Sequence, residues 1–107
     1  MAEEYSTQVY TVSGTSGQAT TKTFAADRFW AHGISQIHCG YSGDPTSGSL
    51  TISNGGVVEY VMPITKGGAA PIYFDPPYCG DKNSAVVVAL SGGGAVVGYL
   101  NIWEFLR

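Results

Sequence analysis

The stretch Ser84–Trp103, SAVVVALSGGGAVVGYLNIW, sets two apolar runs of strand length on either side of three consecutive glycines. Neither run carries the apolar stripe, recurring every three to four residues, that an amphipathic helix needs. The first, Ala85–Leu90, is apolar on both faces, the pattern of a strand covered on both sides. In the second, Ala95–Phe105, residues Val96, Gly98, Leu100 and Ile102 share one face, and Tyr99, Asn101, Trp103 and Phe105 share the other. A chain built from such segments has to pair strands, and the glycines have to turn it.

The rest of the sequence follows the same rule. Further strands are expected over Tyr5–Val12, Gln18–Phe24, Gly33–Tyr41, Ser49–Ser53, Val57–Met62 and Ile72–Phe74. Turn-forming clusters separate them: SGTSG, SGDPTSG, NGG, TKGGAAP and DPP. Asn54–Gly56 is the strongest hairpin signal, because both central turn residues tolerate positive φ; the KGG and GGG clusters read as hairpin loops too. Only Thr23–Trp30 has spacing suited to a turn of helix, and the aromatics at its ends suit a loop tucked under a sheet equally well. In Gly33–Tyr41 the better core face is Ile37, Cys39 and Tyr41, which turns His38 outward. The expected fold is all-β, an antiparallel β-sandwich or jelly-roll-like barrel of about eight short strands, in a single domain over residues 1–107.

Charged residues make up 12% of the chain, about half the usual share. A surface so poor in charge suits a protein partly covered by something other than water. The net charge is −3, and the basic residues Lys22, Arg28, Lys66, Lys82 and Arg107 form no stripe, which argues against nucleic acid as a partner. No apolar window is long enough to cross a bilayer as a helix. MAEEYSTQ at the amino terminus lacks the basic and apolar regions of a signal peptide, so synthesis in a cytoplasm and free thiols at Cys39 and Cys79 are expected.

Catalytic and metal chemistry find little support. His32, His38, Cys39 and Cys79 are the right types for zinc, but adjacent His38 and Cys39 point to opposite faces of a strand. Cys79 with a histidine could make a nucleophile pair, yet nothing supplies the third, orienting group. Asp75 and Asp81 flank PPYCG and read as turn formers before they read as a carboxylate pair. The glycine clusters lack the lysine and following helix of a phosphate loop. No enzyme activity, cofactor or metal is expected. Trp30, Tyr41, Tyr60, Tyr73 and Trp103 could together form a sugar-stacking platform, or equally be core and subunit contacts.

From Ile34 to Trp103 the order of segments resembles a family of small all-β virion proteins of tailed bacteriophages. The resemblance is carried by SGSLTISNGGVVEYVMPI, then a Gly-rich loop, then IYFDPPYCGDKNSAVVVALSGGGAVVGYLNIW. It implies a structural protein of the particle, a capsid decoration or cement protein located in the virion, bound to the major capsid protein or other virion proteins and self-associating as a homotrimer. It carries no catalytic residues. Tyr99, Trp103 and Phe105 are expected at the interface, and an extended arm over residues 1–10, with Tyr5 and Val9, is expected to add a strand to a neighbour. The alternative on the same fold is a carbohydrate- or receptor-binding module.

Overall fold

A computed structural model describes residues 7–107. Eight strands run β1 Gln8–Ser13, β2 Thr20–Phe24, β3 His32–Tyr41, β4 Gly48–Asn54, β5 Val57–Ile64, β6 Gly68–Cys79, β7 Val86–Leu90 and β8 Gly98–Leu106. They form two four-stranded antiparallel sheets, one in the order β1-β8-β3-β6 and the other β2-β7-β4-β5. First pairs with last, second with seventh, third with sixth and fourth with fifth. The chain is thus a long antiparallel ribbon folded over so that its two halves become facing sheets. The expected β-sandwich is the fold observed.

The core lies between the sheets and follows the two-residue alternation except at the irregularity between Ile34 and Gln36, which turns Ile34, expected on the His38 face, into the core. Ile34, Ile37 and Cys39 of β3, Leu100 and Ile102 of β8, Leu50 and Ile52 of β4, and Val86, Val88 and Leu90 of β7 are all essentially inaccessible. Each sandwich side is closed by aromatic contacts between edge strands. Tyr10 of β1 meets Phe24 of β2 edge-on at 5.1 Å, under the ammonium of Lys22, and Tyr60 of β5 meets Phe74 of β6 at 5.2 Å. Beside the second pair the Tyr78 hydroxyl donates to Glu59 at 2.7 Å. Burial, that hydrogen bond and the carboxylate's charge push the Tyr78 phenol well above the ordinary tyrosine range.

Three local expectations are corrected. The Gly92–Gly94 loop closes no hairpin: β7 and β8 belong to different sheets, and the loop carries the chain over the end of the sandwich. The Lys66–Gly68 loop likewise crosses from one sheet to the other. Among the described residues only Asn54–Val57 is a tight hairpin, with Gly55 and Gly56 both at positive φ, as the NGG signal requires. Glycine composition reports that the chain turns and not where the next strand docks. The third correction concerns β6, which runs on through Asp75-Pro76-Pro77 to Cys79. Proline lacks a ladder donor, but β6 is an edge strand with an unpaired side, so the loss is tolerated. Its pairing with β3 resumes at Tyr78 after an irregularity between Ile34 and Gln36.

Candidate functional site

The outer face of the β1-β8-β3-β6 sheet gathers most of the residues singled out in the sequence. Strand register lays them in rows. Val9, Trp103, Gln36 and Tyr73 form one, Thr11, Asn101, His38 and Pro71 the next, and Ser13, Tyr99, Gly40 and Ala69 a third. None of the twelve is Asp, Glu, Lys or Arg. Val9, Tyr73 and Tyr99 are exposed, at 53%, 68% and 44%.

His38 sits at the centre of this face. Its ring lies 4.7 Å from the Trp103 ring and 6.3 Å from Tyr73, so the aromatic cluster spans β8, β3 and β6. The Gln36 side-chain amide nitrogen lies 2.6 Å from His38 Nε2, tying the two neighbouring outward side chains of β3 together. Thr11 donates to the Asn101 carbonyl oxygen at 2.9 Å, freeing the Asn101 amide nitrogen to donate elsewhere. Between these groups lies a groove of about 280 Å³ lined by His38, Gly40, Tyr99, Asn101 and Ala69. Gly40 makes its floor: a β-carbon there would fall 2.4 Å from the Gly68 carbonyl oxygen of β6, so no side chain fits. The arrangement offers aromatic surface and neutral donors, and no nucleophile with an adjacent base.

The opposite face of the molecule is flatter. On the outside of the β2-β7-β4-β5 sheet, Thr21, Ala89, Thr51 and Val61 form one row and Thr23, Val87, Ser53 and Val58 another. It too has no formal charge, while Val58 and Val61 are more than half exposed. Among the described residues, charges fall in loops, on edge strands, at the end of β8 or in the interior.

The interface candidates therefore divide. Tyr99, Trp103 and Val9 share one exposed face. Phe105 points to the same side but is only 4% exposed, its ring lying over Gly33 of β3, so the chain itself already covers it. Tyr5 lies outside the described residues. Among the sugar-platform candidates, Tyr73 and Trp103 stand together. Tyr41 is instead buried, donating its hydroxyl to the Ser91 carbonyl at 2.9 Å, and Tyr60 packs between the sheets. Cys39 is buried in the core, where desolvation raises its thiol to about 11, and Cys79 lies at the end of β6; both are free. Among the described residues no three His, Cys, Asp or Glu side chains converge as metal ligands, and no helix is long and apolar enough to cross a membrane.

One buried pair escaped the sequence reading. His32 Nδ1 lies 2.6 Å from Glu104 Oε2, and its Nε2 lies 2.7 Å from the Ala25 carbonyl oxygen. An acceptor oxygen faces each ring nitrogen, an arrangement that both N–H groups of an imidazolium satisfy. The partners are far apart in sequence and only the β3–β8 pairing brings them together, so no local signal could have found them.

No known protein family matches the sequence, and no curated protein matches it either. Several solved structures are similar to this chain in part or over their whole length. A chain of the acid-stable capsid of Helicobacter pylori bacteriophage KHP30 superposes with a TM-score of 0.55 at 10% identity, over 98% of this chain and 92% of that one. A family 35 carbohydrate-binding module of Clostridium thermocellum gives 0.44 at 14% identity, over 94% and 98%. The insecticidal δ-endotoxin Cry8Ea1 of Bacillus thuringiensis gives 0.46 at 12% identity over 97% of this chain, which spans only 19% of the toxin. At 10% identity the likeness to the capsid chain is one of fold alone.

Proposed function

We propose that this chain is a non-enzymatic structural protein of a virus particle, a capsid decoration or cement protein that bridges neighbouring shell subunits. The observation that carries the reading is the pair of sheet faces whose central rows carry no formal charge, one of them set with Trp103, Tyr73, Tyr99 and Val9. The surface of a freely soluble domain is ordinarily a quarter to a third charged. A face this neutral, with exposed aromatics clustered at its centre, is suited to lie against another protein. The whole-length likeness to a phage capsid chain supports the same reading, as does the nested strand pairing, which we read as a jelly roll. The natural partners are then the major capsid protein and further copies of this chain, associated as homotrimers, with the virion as its location.

Binding would draw on the aromatic cluster. Covering an exposed half-ring of about 100 Å² is worth ~2.5 kcal/mol at the usual coefficient, before the cost of association. Trp103, on an inner strand beside His38, is positioned to dominate, as central aromatics do in protein interfaces, with Tyr73 of the edge strand β6 flanking it. Light scattering over a range of concentrations should give a stable trimer for the native chain and a smaller mass for Trp103→Ala with an unchanged melting temperature. If Trp103→Ala unfolds while the native chain is monomeric throughout, the face is part of the fold's own packing and the reading fails.

A second reading rests on the groove beside Tyr99. Its volume accommodates one sugar ring, with Tyr99 for stacking, the Asn101 amide as a neutral donor and the His38 ring beside them. Retention on a glycan array that Tyr99→Ala and Asn101→Ala both abolish would favour a carbohydrate-binding module over the particle protein.

A further inference from the structure

The sandwich has four edge strands, β1 and β6 in one sheet and β2 and β5 in the other. An edge strand presents a row of unpaired backbone donors and acceptors, and proteins that stay apart block such rows with proline, charge or a bulge. Three of the four edges here are blocked. β6 carries Pro71, Asp75, Pro76 and Pro77 and breaks register opposite β3. β5 carries Glu59 and Pro63, with a register break opposite Ile52 and Ser53. β2 carries Lys22 on its inward side, its ammonium lodged over the Tyr10 and Phe24 rings.

β1 is different. Gln8–Ser13, QVYTVS, has no proline, no charge and no bulge, and all six residues pair with β8 in continuous register. Its outward side has no strand partner among the described residues. It is rich in Val, Thr and Tyr, which favour strand pairing.

We propose that the free edge of β1 pairs antiparallel with the β1 of a second copy, across a two-fold axis perpendicular to the sheet. The occupant follows from the strand's own chemistry. Self-pairing sets each residue opposite one from the same segment, and a charged edge would then oppose like charge to like. β1 itself carries none, and the one ammonium beside it, Lys22 of β2, lies over the Tyr10 ring. Across the axis, outer-face Val9, Thr11 and Ser13 can oppose only one another, and Tyr10 opposes inward residues such as Val12. The neutral face described above continues from one copy to the next, so that Val9 and Trp103 extend into a surface twice as wide. This contact uses the edge of the sheet, not its face, and stands whether or not the particle reading does. A six-residue edge buries less than the roughly 1,200 Å² typical of stable complexes, so the free pair is weak and depends on concentration.

Cysteine scanning tests it on the full-length chain. In an antiparallel pair about a two-fold axis, one residue faces its own copy within disulfide reach. In a Cys79→Ser background, cysteine is placed at each position from Val9 to Ser13 in turn, and oxidised at protein concentrations up to about 1 mM, the weak end of measurable affinity. The expected result is a covalent dimer peaking at one position and falling away on both sides. Val9→Lys should weaken the pair at least ~10-fold, because edge lysine opposes pairing, whereas Val57→Lys, at the exposed end of the β4–β5 turn, should leave it unchanged. Equal cross-linking at all positions, or none, overturns the proposal. So does self-association lost in Val57→Lys and kept in Val9→Lys. A trimer by light scattering without any β1 cross-link would support the particle reading and sink this one.

Discussion

Replacing Gly33 by alanine sets a methyl group against the Phe105 ring. The two residues face each other directly in the β3–β8 pairing, and a β-carbon at Gly33 would lie 2.3 Å from Cζ, 2.5 Å from Cε2 and 2.9 Å from Cε1 of that ring. Atoms do not approach so closely, and both backbones are fixed by their ladders, so the ring has to swing out. Phe105 is now 4% exposed. If half of a ring burying about 200 Å² returns to water, the loss is ~2.5 kcal/mol. Alanine recovers ~0.5–1 kcal/mol through lower backbone entropy in the unfolded chain, leaving a net cost of about 2 kcal/mol. The reasoning has a sharp consequence: without the ring, the methyl group has nothing to hit. In a Phe105→Ala background, Gly33→Ala should be neutral or stabilising, a coupling of ~2–3 kcal/mol. Urea unfolding followed by tryptophan fluorescence would measure all four corners of the cycle, with Phe105→Leu as a milder substitute should Phe105→Ala not fold. If the two changes add to within ~0.5 kcal/mol, the ring does not depend on the bare glycine and the account is wrong.

Other expectations are simpler. Asn54 accepts from the Ser84 hydroxyl at 2.6 Å and the Asp81 amide at 3.3 Å, and donates to the Asp81 carboxylate at 3.0 Å; Asn54→Ala should cost ~2–3 kcal/mol in chemical denaturation and speed amide exchange across residues 80–84. Glu104→Ala should cost ~3–5 kcal/mol by leaving His32 buried without its partner, and Glu104→Gln, which keeps an acceptor, should cost less; equal melting temperatures for the two would refute the pairing. With the Cys39 thiol raised to about 11, iodoacetamide at neutral pH should label Cys79 alone in the folded chain and both cysteines in denaturant, as read by intact mass. Because the folded state holds that proton to higher pH than the unfolded one, stability should fall as pH rises from 9 towards 11.

What could be read from the sequence was what is local. Alternation in Gly33–Tyr41 and Ala95–Phe105 assigned Ile37, Cys39, Leu100 and Ile102 to the core and Tyr99, Asn101 and Trp103 to the outside, because a side chain's face is set by its immediate neighbours. The NGG turn was equally legible, since two residues at positive φ dictate a hairpin. Docking was not. Ala85–Leu90 and Ala95–Phe105 are each well formed as strands, and nothing in either run says that one joins the β2-β7-β4-β5 sheet and the other its opposite. The same limit hid His32 beside Glu104 and Phe105 over Gly33. Phe105 alternates outward like Trp103, and only the cross-strand glycine reveals why one ring is sheltered and the other stays partly open.

The nested pairing also orders the steps by which such a chain can close. Asn54 and Val57 meet across a single turn, whereas Gln8 and Glu104 meet only after nearly the whole chain has been gathered in. Every pairing outward from the central hairpin closes a longer loop at a greater entropic cost, and each becomes cheaper once the pair inside it has formed. Folding should accordingly spread outward from β4 and β5 on the slow, millisecond-to-second scale of non-local β topologies, with β1 the last strand to dock.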